Sequence, residues 1–235
     1  MSLTAPKVQR MKIKTQYIAP MSLWLVVRKR FSSTGLFIEP AWIGDGEQSG
    51  PLIFTSRLLA AFYAHTRNKY HQKDDSNNWR VLSLQEFDLM QHVRDCDGEL
   101  WCMMGFGVTL EEPGSIIVAT GAPRTRYTPL HFAPPTDNEE VTFLFNQWVF
   151  DFIRDEFKSI GLPKYEDELE AMDELSDEDF AATLKLAIER AGVCRVPSER
   201  DEVLWGVYSP FHGAWISGEE LPCAHPDEHA ARMMH

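Results

Sequence analysis

Residues 50–64, GPLIFTSRLLAAFYA, contain the clearest change of hydrophobic period in the chain. Pro51, Leu52, Ile53 and Phe54 form an apolar run too short for a helix, and Thr55 and Ser56 follow with hydroxyls suited to capping one. Leu58, Leu59, Phe62 and Tyr63 then recur at helical spacing with alanines between them, which predicts a helix to about Asn68 packed closely on a sheet. Upstream, Trp24, Val26 and Val27 mark a strand over residues 22–30 that ends in Arg28, Lys29 and Arg30. Residues 35–42 read as a second strand limited by Pro40, and residues 44–50 as a loop.

Downstream, residues 69–78 are a polar connection and residues 79–82 a short strand. Ser83 and Glu86 have capping-box spacing, so a helix is expected from there, with Leu84, Phe87, Met90 and Val93 on one side and residues 95–98 as its stop. Residues 100–110 have the unbroken apolar character of a buried central strand. Gly105 and Gly107 make a GxG with no third glycine and no helix start, which is weak as a dinucleotide loop. Residues 115–120 are a further strand, and the proline-rich stretch 121–136, with Arg124, Arg126, Tyr127 and His131, reads as a boundary or a binding segment. From Asp137 a helix is expected, with Val141, Leu144, Phe145, Trp148, Val149 and Phe152 on its apolar stripe and Phe143, Phe150 and Phe157 off it. Ser176 and Asp179 cap another helix that buries Phe180, Leu184, Ala187, Ile188 and Ala191, and residues 202–215 form two strands around a turn at residues 209–213. The sum is an α+β fold: a mixed sheet with flanking helices and an acidic helical C-terminal portion ending in a β-hairpin, divided as residues 1–120 and 137–235 and packed either separately or as one unit.

Charge changes this picture most in the C-terminal portion. The 235-residue chain has a formal net charge of −12, while residues 1–38 hold only basic charges, so the remainder is more acidic still. That balance argues against direct nucleic-acid recognition, which needs clustered cations. The Arg28–Lys29–Arg30 triplet can bind an anion, although a solvated strand end is the commoner role of such a block. Glu166, Asp167, Glu168, Glu170, Asp173, Glu174 and Asp177 are too dense to be explained by capping, and the following hairpin carries Trp205, Tyr208, Phe211 and Trp215. These acids and aromatics are the candidate partner-binding residues, fitted to a basic protein partner.

No apolar run reaches the ~20 residues of a membrane span, and the basic N-terminus lacks a signal-peptide core, so a cytoplasmic location is expected. Cys96, Cys102, Cys194 and Cys223 have no disulfide-framework spacing. Cys223, His225 and His229 could hold a metal only with a fourth ligand from elsewhere, and no cofactor is expected. His65, His71, His92 and His131 are scattered, and neither a nucleophile elbow nor a zinc or phosphate loop is present, which leaves a hydrolase with an unrecognised site as the weakest reading.

Pro51, Phe54, Thr55, Ser56, Ala60 and Phe62, followed by Leu82, Ser83, Leu84 and Phe87 in LSLQEF, resemble the N-terminal domain of SseB-type proteins over about residues 22–110. The polar insert at 69–78 and the acidic region after Asp137 depart from that pattern. The resemblance implies an α/β domain used for protein contact, of a kind found among bacterial immunity proteins, and carries no catalytic residues. The expected function is therefore an immunity protein of an interbacterial system such as type VI secretion, which occludes a basic effector such as a nuclease. A secretion-linked adaptor or regulator is the alternative.

Overall fold

The computed structural model describes residues 14–32, 35–45, 48–71, 78–135, 140–195 and 204–219. Its organising strand is Leu100–Glu112, whose residues 102–110 are all buried. In chain order the strands are β1 (Lys14–Ile18), β2 (Trp24–Ser32), β3 (Gly35–Pro40), β4 (Trp42–Asp45), β5 (Gln48–Phe54), β6 (Arg80–Ser83), β7 (Leu100–Glu112), β8 (Ser115–Ala119), β9 (Ala122–Pro123), β10 (Thr125–Phe132), β11 (Glu140–Leu144), β12 (Gly192–Cys194), β13 (Leu204–Ser209) and β14 (Ala214–Glu219). The α-helices are α1 (Arg57–His71), α2 (Leu89–Asp95), α3 (Gln147–Ser159), α4 (Tyr165–Asp173) and α5 (Asp177–Glu189). The fold is α+β, with a twelve-stranded mixed sheet and a separate parallel pair, β1 with β11.

β7 pairs parallel with β5 and antiparallel with β8, β10 and β13. Two of its glycines make room for this crowding. A Cβ on Gly105 would stand 2.9 Å from a Leu52 methyl, and one on Gly107 would stand 2.7 Å from the Trp205 ring. The GxG is thus a packing device in which rings and methyls press on bare backbone.

Helices and the β1–β11 pair cover the two sheet faces and make two main cores. On one face α1 and part of α5 cover Val26, Leu52, Phe54, Met103 and Val108. On the other, α2, α3 and the β1–β11 pair cover Leu25, Ile53, Met104 and Phe106. α4 bridges the two sides: Tyr165 and Leu169 belong to the second core, and Met172 packs with Leu58, Phe180 and Tyr208 where α1 meets α5. Among the described residues, the core and the sheet draw on elements from both portions of the chain. β13 pairs with β7, β12 with β8 and β11 with β1.

Four expectations change in the structure. The proline-rich stretch from residue 121 holds β9, paired with β8, and then β10, hydrogen-bonded along most of β7, and Pro129 is tolerated because among the described strands β10 pairs with β7 alone. The expected helix from residue 137 begins instead as β11, whose alternation buries Val141 and Phe143 and exposes Leu144; Asn146 then caps α3 through Trp148 N at 3.3 Å. Phe150 and Phe157 are therefore core residues, while Trp148 is exposed. The helix expected from Ser83 is a 3-10 turn, Leu84–Glu86, and Asp88 caps α2 separately. Residues 42–45 and 48–50, expected as part of a strand end and a loop, extend a β4–β5 hairpin. Asp137, Glu139 and Glu202 lie outside the described residues.

Candidate functional site

The candidate partner-binding residues meet where α4 runs beside the β13–β14 turn. α4 is amphipathic: Tyr165, Glu168, Leu169 and Met172 face inward, and Asp167, Glu170 and Glu174 form an exposed ridge on the other side. α5 continues the acidic surface with exposed Asp177, Glu178 and Asp179 in its first turn, where carboxylates complement the positive helix end. Ser176 caps that helix by accepting from Asp179 N at 3.2 Å.

Glu168 is the inward exception among the acids, only 4% exposed. Its Oε2 accepts from Ser209 Oγ at 2.7 Å and from Phe211 N at 3.4 Å. Ser209 Oγ in turn accepts from His212 N at 3.2 Å and lies 2.8 Å from His212 Nδ1. Because the single hydroxyl proton points to the carboxylate, Nδ1 carries the hydrogen in this contact. Gly213 ends the turn at φ 59°, with Arg190 packed where a Cβ would project. The network ties the turn to α4 and holds Phe211 outward, 69% exposed. Ser209, Glu168 and His212 resemble a nucleophile set in composition only. Ser209 is fully buried and sits between the acid and the imidazole, and the carboxylate Oε1 is 4.0 Å from Nδ1, so the acid does not orient the imidazole toward the hydroxyl.

The remaining candidates divide by burial, and three of them are corrected. Trp205 and Tyr208 are core residues, out of reach of a partner: Trp205 packs edge-on to Phe106, and Tyr208 carries the carbonyl that accepts from Tyr165 Oη at 2.8 Å. Burial drives the Tyr165 phenol upward, so it stays a donor. Glu168 likewise cannot present its charge outward. Trp215 is half-buried, donating from Nε1 to Ala187 O at 3.0 Å and meeting Phe62 edge-on. Glu166 is half-buried and engaged twice by Arg154, at 2.8 and 3.0 Å. Asp177 is exposed and accepts from Arg57 at 3.1 Å. Asp173 is half-buried, and burial pushes its carboxyl upward against the opposing pull of Ser22 and Arg57. The side chains left for a partner are Asp167, Glu170 and Glu174 on the outer side of α4, Asp177, Glu178 and Asp179 at the start of α5, and Phe211 on the turn that Glu168 holds.

A second exposed patch was not among the sequence candidates. Ile18 and Leu144 are register partners in the β1–β11 pair, 53% and 62% exposed, and Trp148, 49% exposed, stands in the first turn of α3 just beyond the end of β11. The period-two alternation of residues 140–144 was the signal that could have found it. Cys223, His225 and His229 lie outside the described residues, among which no group of His, Cys, Asp and Glu gathers at metal-holding distance. No described helix is long and apolar enough to cross a membrane.

No protein-family model matches this chain, and comparisons with curated proteins and with solved structures return no match.

Proposed function

We propose that this chain is a cytoplasmic immunity protein that captures a basic protein effector on the outer face of α4 and blocks the effector's working surface. The observations that support the reading are charge and anchor: Phe211 projects from a turn whose backbone is bonded to α4 through Glu168, and the outer side of that helix carries the exposed ridge of Asp167, Glu170 and Glu174. Charge of one sign steers a cationic partner and raises the association rate by roughly 10- to 1000-fold, while a fixed aromatic anchors the encounter. A carboxylate ridge also competes for a groove built to hold phosphates, which fits a nuclease effector. The resemblance of residues 50–64 and 79–93 to SseB-type domains supports a protein-contact role.

The test uses the purified product of the adjacent gene as partner. D167K/E170K/E174K is expected to slow association about tenfold or more at low salt, and F211A to speed dissociation. Coexpression with the adjacent product is expected to protect cells only when the ridge is intact. Unchanged association and protection in the triple variant would remove the proposal. A second reading, a protein-binding adaptor, is favoured by the uncharged Ile18, Leu144 and Trp148 patch; it predicts that W148A, and not the acidic triple variant, abolishes partner capture.

A further inference from the structure

The large sheet ends on β3, which pairs with β2 and with no other described strand. One bond fixes where the backbone groups of this edge strand point. Ala41 N donates to Val26 O at 2.7 Å, and with the β2–β3 register this makes Arg28 with Glu39, and Arg30 with Phe37, hydrogen-bonded pairs of the ladder. Lys29 with Ile38 and Phe31 with Leu36 are then the intervening pairs, so the N–H and C=O of Leu36 and Ile38 point away from β2. The other side of β2 has the matching parity: Leu84 N donates to Leu23 O at 2.9 Å, so the odd-numbered residues of β2 bond toward β6.

Folded sheets blunt a free edge with proline, charge, a bulge or brevity. β12 has only three residues, and β10 carries Pro129 within its length. β3 lacks these devices at its centre. Pro40 stands at its end, and its one charge, Glu39, is engaged by Arg28 at 2.7 Å and Arg30 at 3.3 Å. Phe37 and Ile38 are 44% and 38% exposed, on opposite faces of the strand. A single exposed apolar side chain is ordinary. Two in succession beside outward-pointing donors and acceptors form a template for another strand.

We propose that β3 pairs antiparallel with β3 of a second copy of this chain, across a two-fold axis at Phe37, and carries the sheet through a dimer. In this register each Leu36 faces Ile38 of the mate as a hydrogen-bonded pair, so the outward groups of both residues are used with none left over. Pro40, which has no N–H to give, falls outside the pairing. Phe37 faces its own mate in the close, non-hydrogen-bonded position, with Cα atoms ~4.5 Å apart. Charge favours contact between copies at this place. The chain has a net charge of −12 but residues 1–38 hold only basic charges, so two copies meet here without opposed acids, and Glu39 faces Gly35 of the mate rather than a second carboxylate. A two-fold contact also closes on itself, whereas pairing β3 with a different edge of the next copy would grow filaments. The area is small, since one strand edge and two half-exposed side chains fall short of the ~800 Å² per partner of a standard interface; the dimer is therefore weak, with a dissociation constant on the order of 100 µM. The proposal is independent of the acidic face of α4.

Sedimentation equilibrium of the full chain between about 10 µM and 1 mM is expected to show monomer and dimer in exchange. Because both copies are negative, the dimer should tighten as salt rises from about 0.05 to 0.5 M. The register is read by oxidation with glutathione disulfide in a C96S/C194S/C223S background, in which the remaining thiol, Cys102, is fully buried. F37C should link to its mate, because a disulfide spans Cα atoms about 4.4–6.8 Å apart. I38C, whose mates stand roughly 8 Å apart in this register, should link about fivefold more slowly or less. F37K alters an exposed side chain and sets two cations face to face, so it should weaken the dimer about tenfold or more with an unchanged circular dichroism spectrum. A monomer at every concentration, equal linking of F37C and I38C, or a dimer untouched by F37K overturns the proposal. Association that weakens with salt would mean that cations of one copy meet acids of the other, and overturns the edge pairing.

Discussion

Replacing Glu168 with alanine tests whether α4 and the hairpin turn are one rigid unit. The carboxylate is 4% exposed and accepts from Ser209 Oγ and Phe211 N, so its removal strips the charged acceptor from two donors in a buried site. Hydrogen bonds to a charged group contribute about 1.5–3 kcal/mol, and the longer 3.4 Å contact counts toward the low end. The lost Cγ methylene adds a small packing loss of about 0.8 kcal/mol. The expected destabilisation is about 3 kcal/mol, which for a chain of this size lowers the thermal midpoint by roughly 6–12 °C. Glu168→Gln keeps an acceptor of the same length and should cost only about 1 kcal/mol. Urea unfolding followed by circular dichroism gives the free energies, and amide hydrogen exchange at residues 209–213 reports the turn directly. In a double-mutant cycle with Ser209→Ala, a coupling of about 1 kcal/mol or more is expected because the two groups share one bond. If E168A unfolds within about 0.5 kcal/mol of the parent and turn exchange is unchanged, Glu168 does not hold Phe211 in place.

Further outcomes follow from other contacts. Gly107→Ala places a methyl 2.7 Å from the buried Trp205 ring and should cost about 1–3 kcal/mol, with a change in near-ultraviolet circular dichroism; an unaltered spectrum and stability would refute the packing role of this glycine. Burial raises the Asp173 carboxyl, so the folded state binds its proton more tightly than the unfolded chain. That term favours folding at low pH and is lost as pH rises past the ordinary carboxylate range, so D173N should gain stability relative to the parent as pH rises from about 4; a constant difference in urea midpoint would contradict this. Burial lowers His92, which stacks on Phe87 at 5.4 Å, so its contribution has the opposite sign and is lost below about pH 6.5. His92→Gln should flatten the stability profile there. Reversing Asp167, Glu170 and Glu174 should leave unfolding within about 0.5 kcal/mol, since these side chains are exposed; a larger loss would mean that any binding defect reflects folding.

Local chemistry was legible wherever a segment's structure depends on its own residues. Ser56 accepts from Leu59 N at 3.1 Å and starts α1, Ser176 caps α5, and the unbroken apolar run of β7 is the buried centre of the sheet. The hairpin around residues 209–213 also follows from its turn residues. Two elements were misread because one periodicity imitated another. Val141, Leu144, Phe145, Trp148 and Val149 match helical spacing, yet the first part is a strand alternating toward the core and the second a helix capped by Asn146.

Acidity of residues 166–179 and the aromatic content of the hairpin are properties of the sequence itself. Which of those side chains reach solvent was decided only by packing. One face of α4 must enter the core, so Glu168 turns inward while Asp167, Glu170 and Glu174 stay out; β13 joins β7, so Trp205 and Tyr208 fill the interior and Phe211 alone remains fully presented. The same holds for β1 and β11, and for Arg28, Arg67 and Trp79. Parallel pairing across more than a hundred residues, and the stacking of two arginines from different elements on one indole, depend on contacts between segments that carry no local signal of each other.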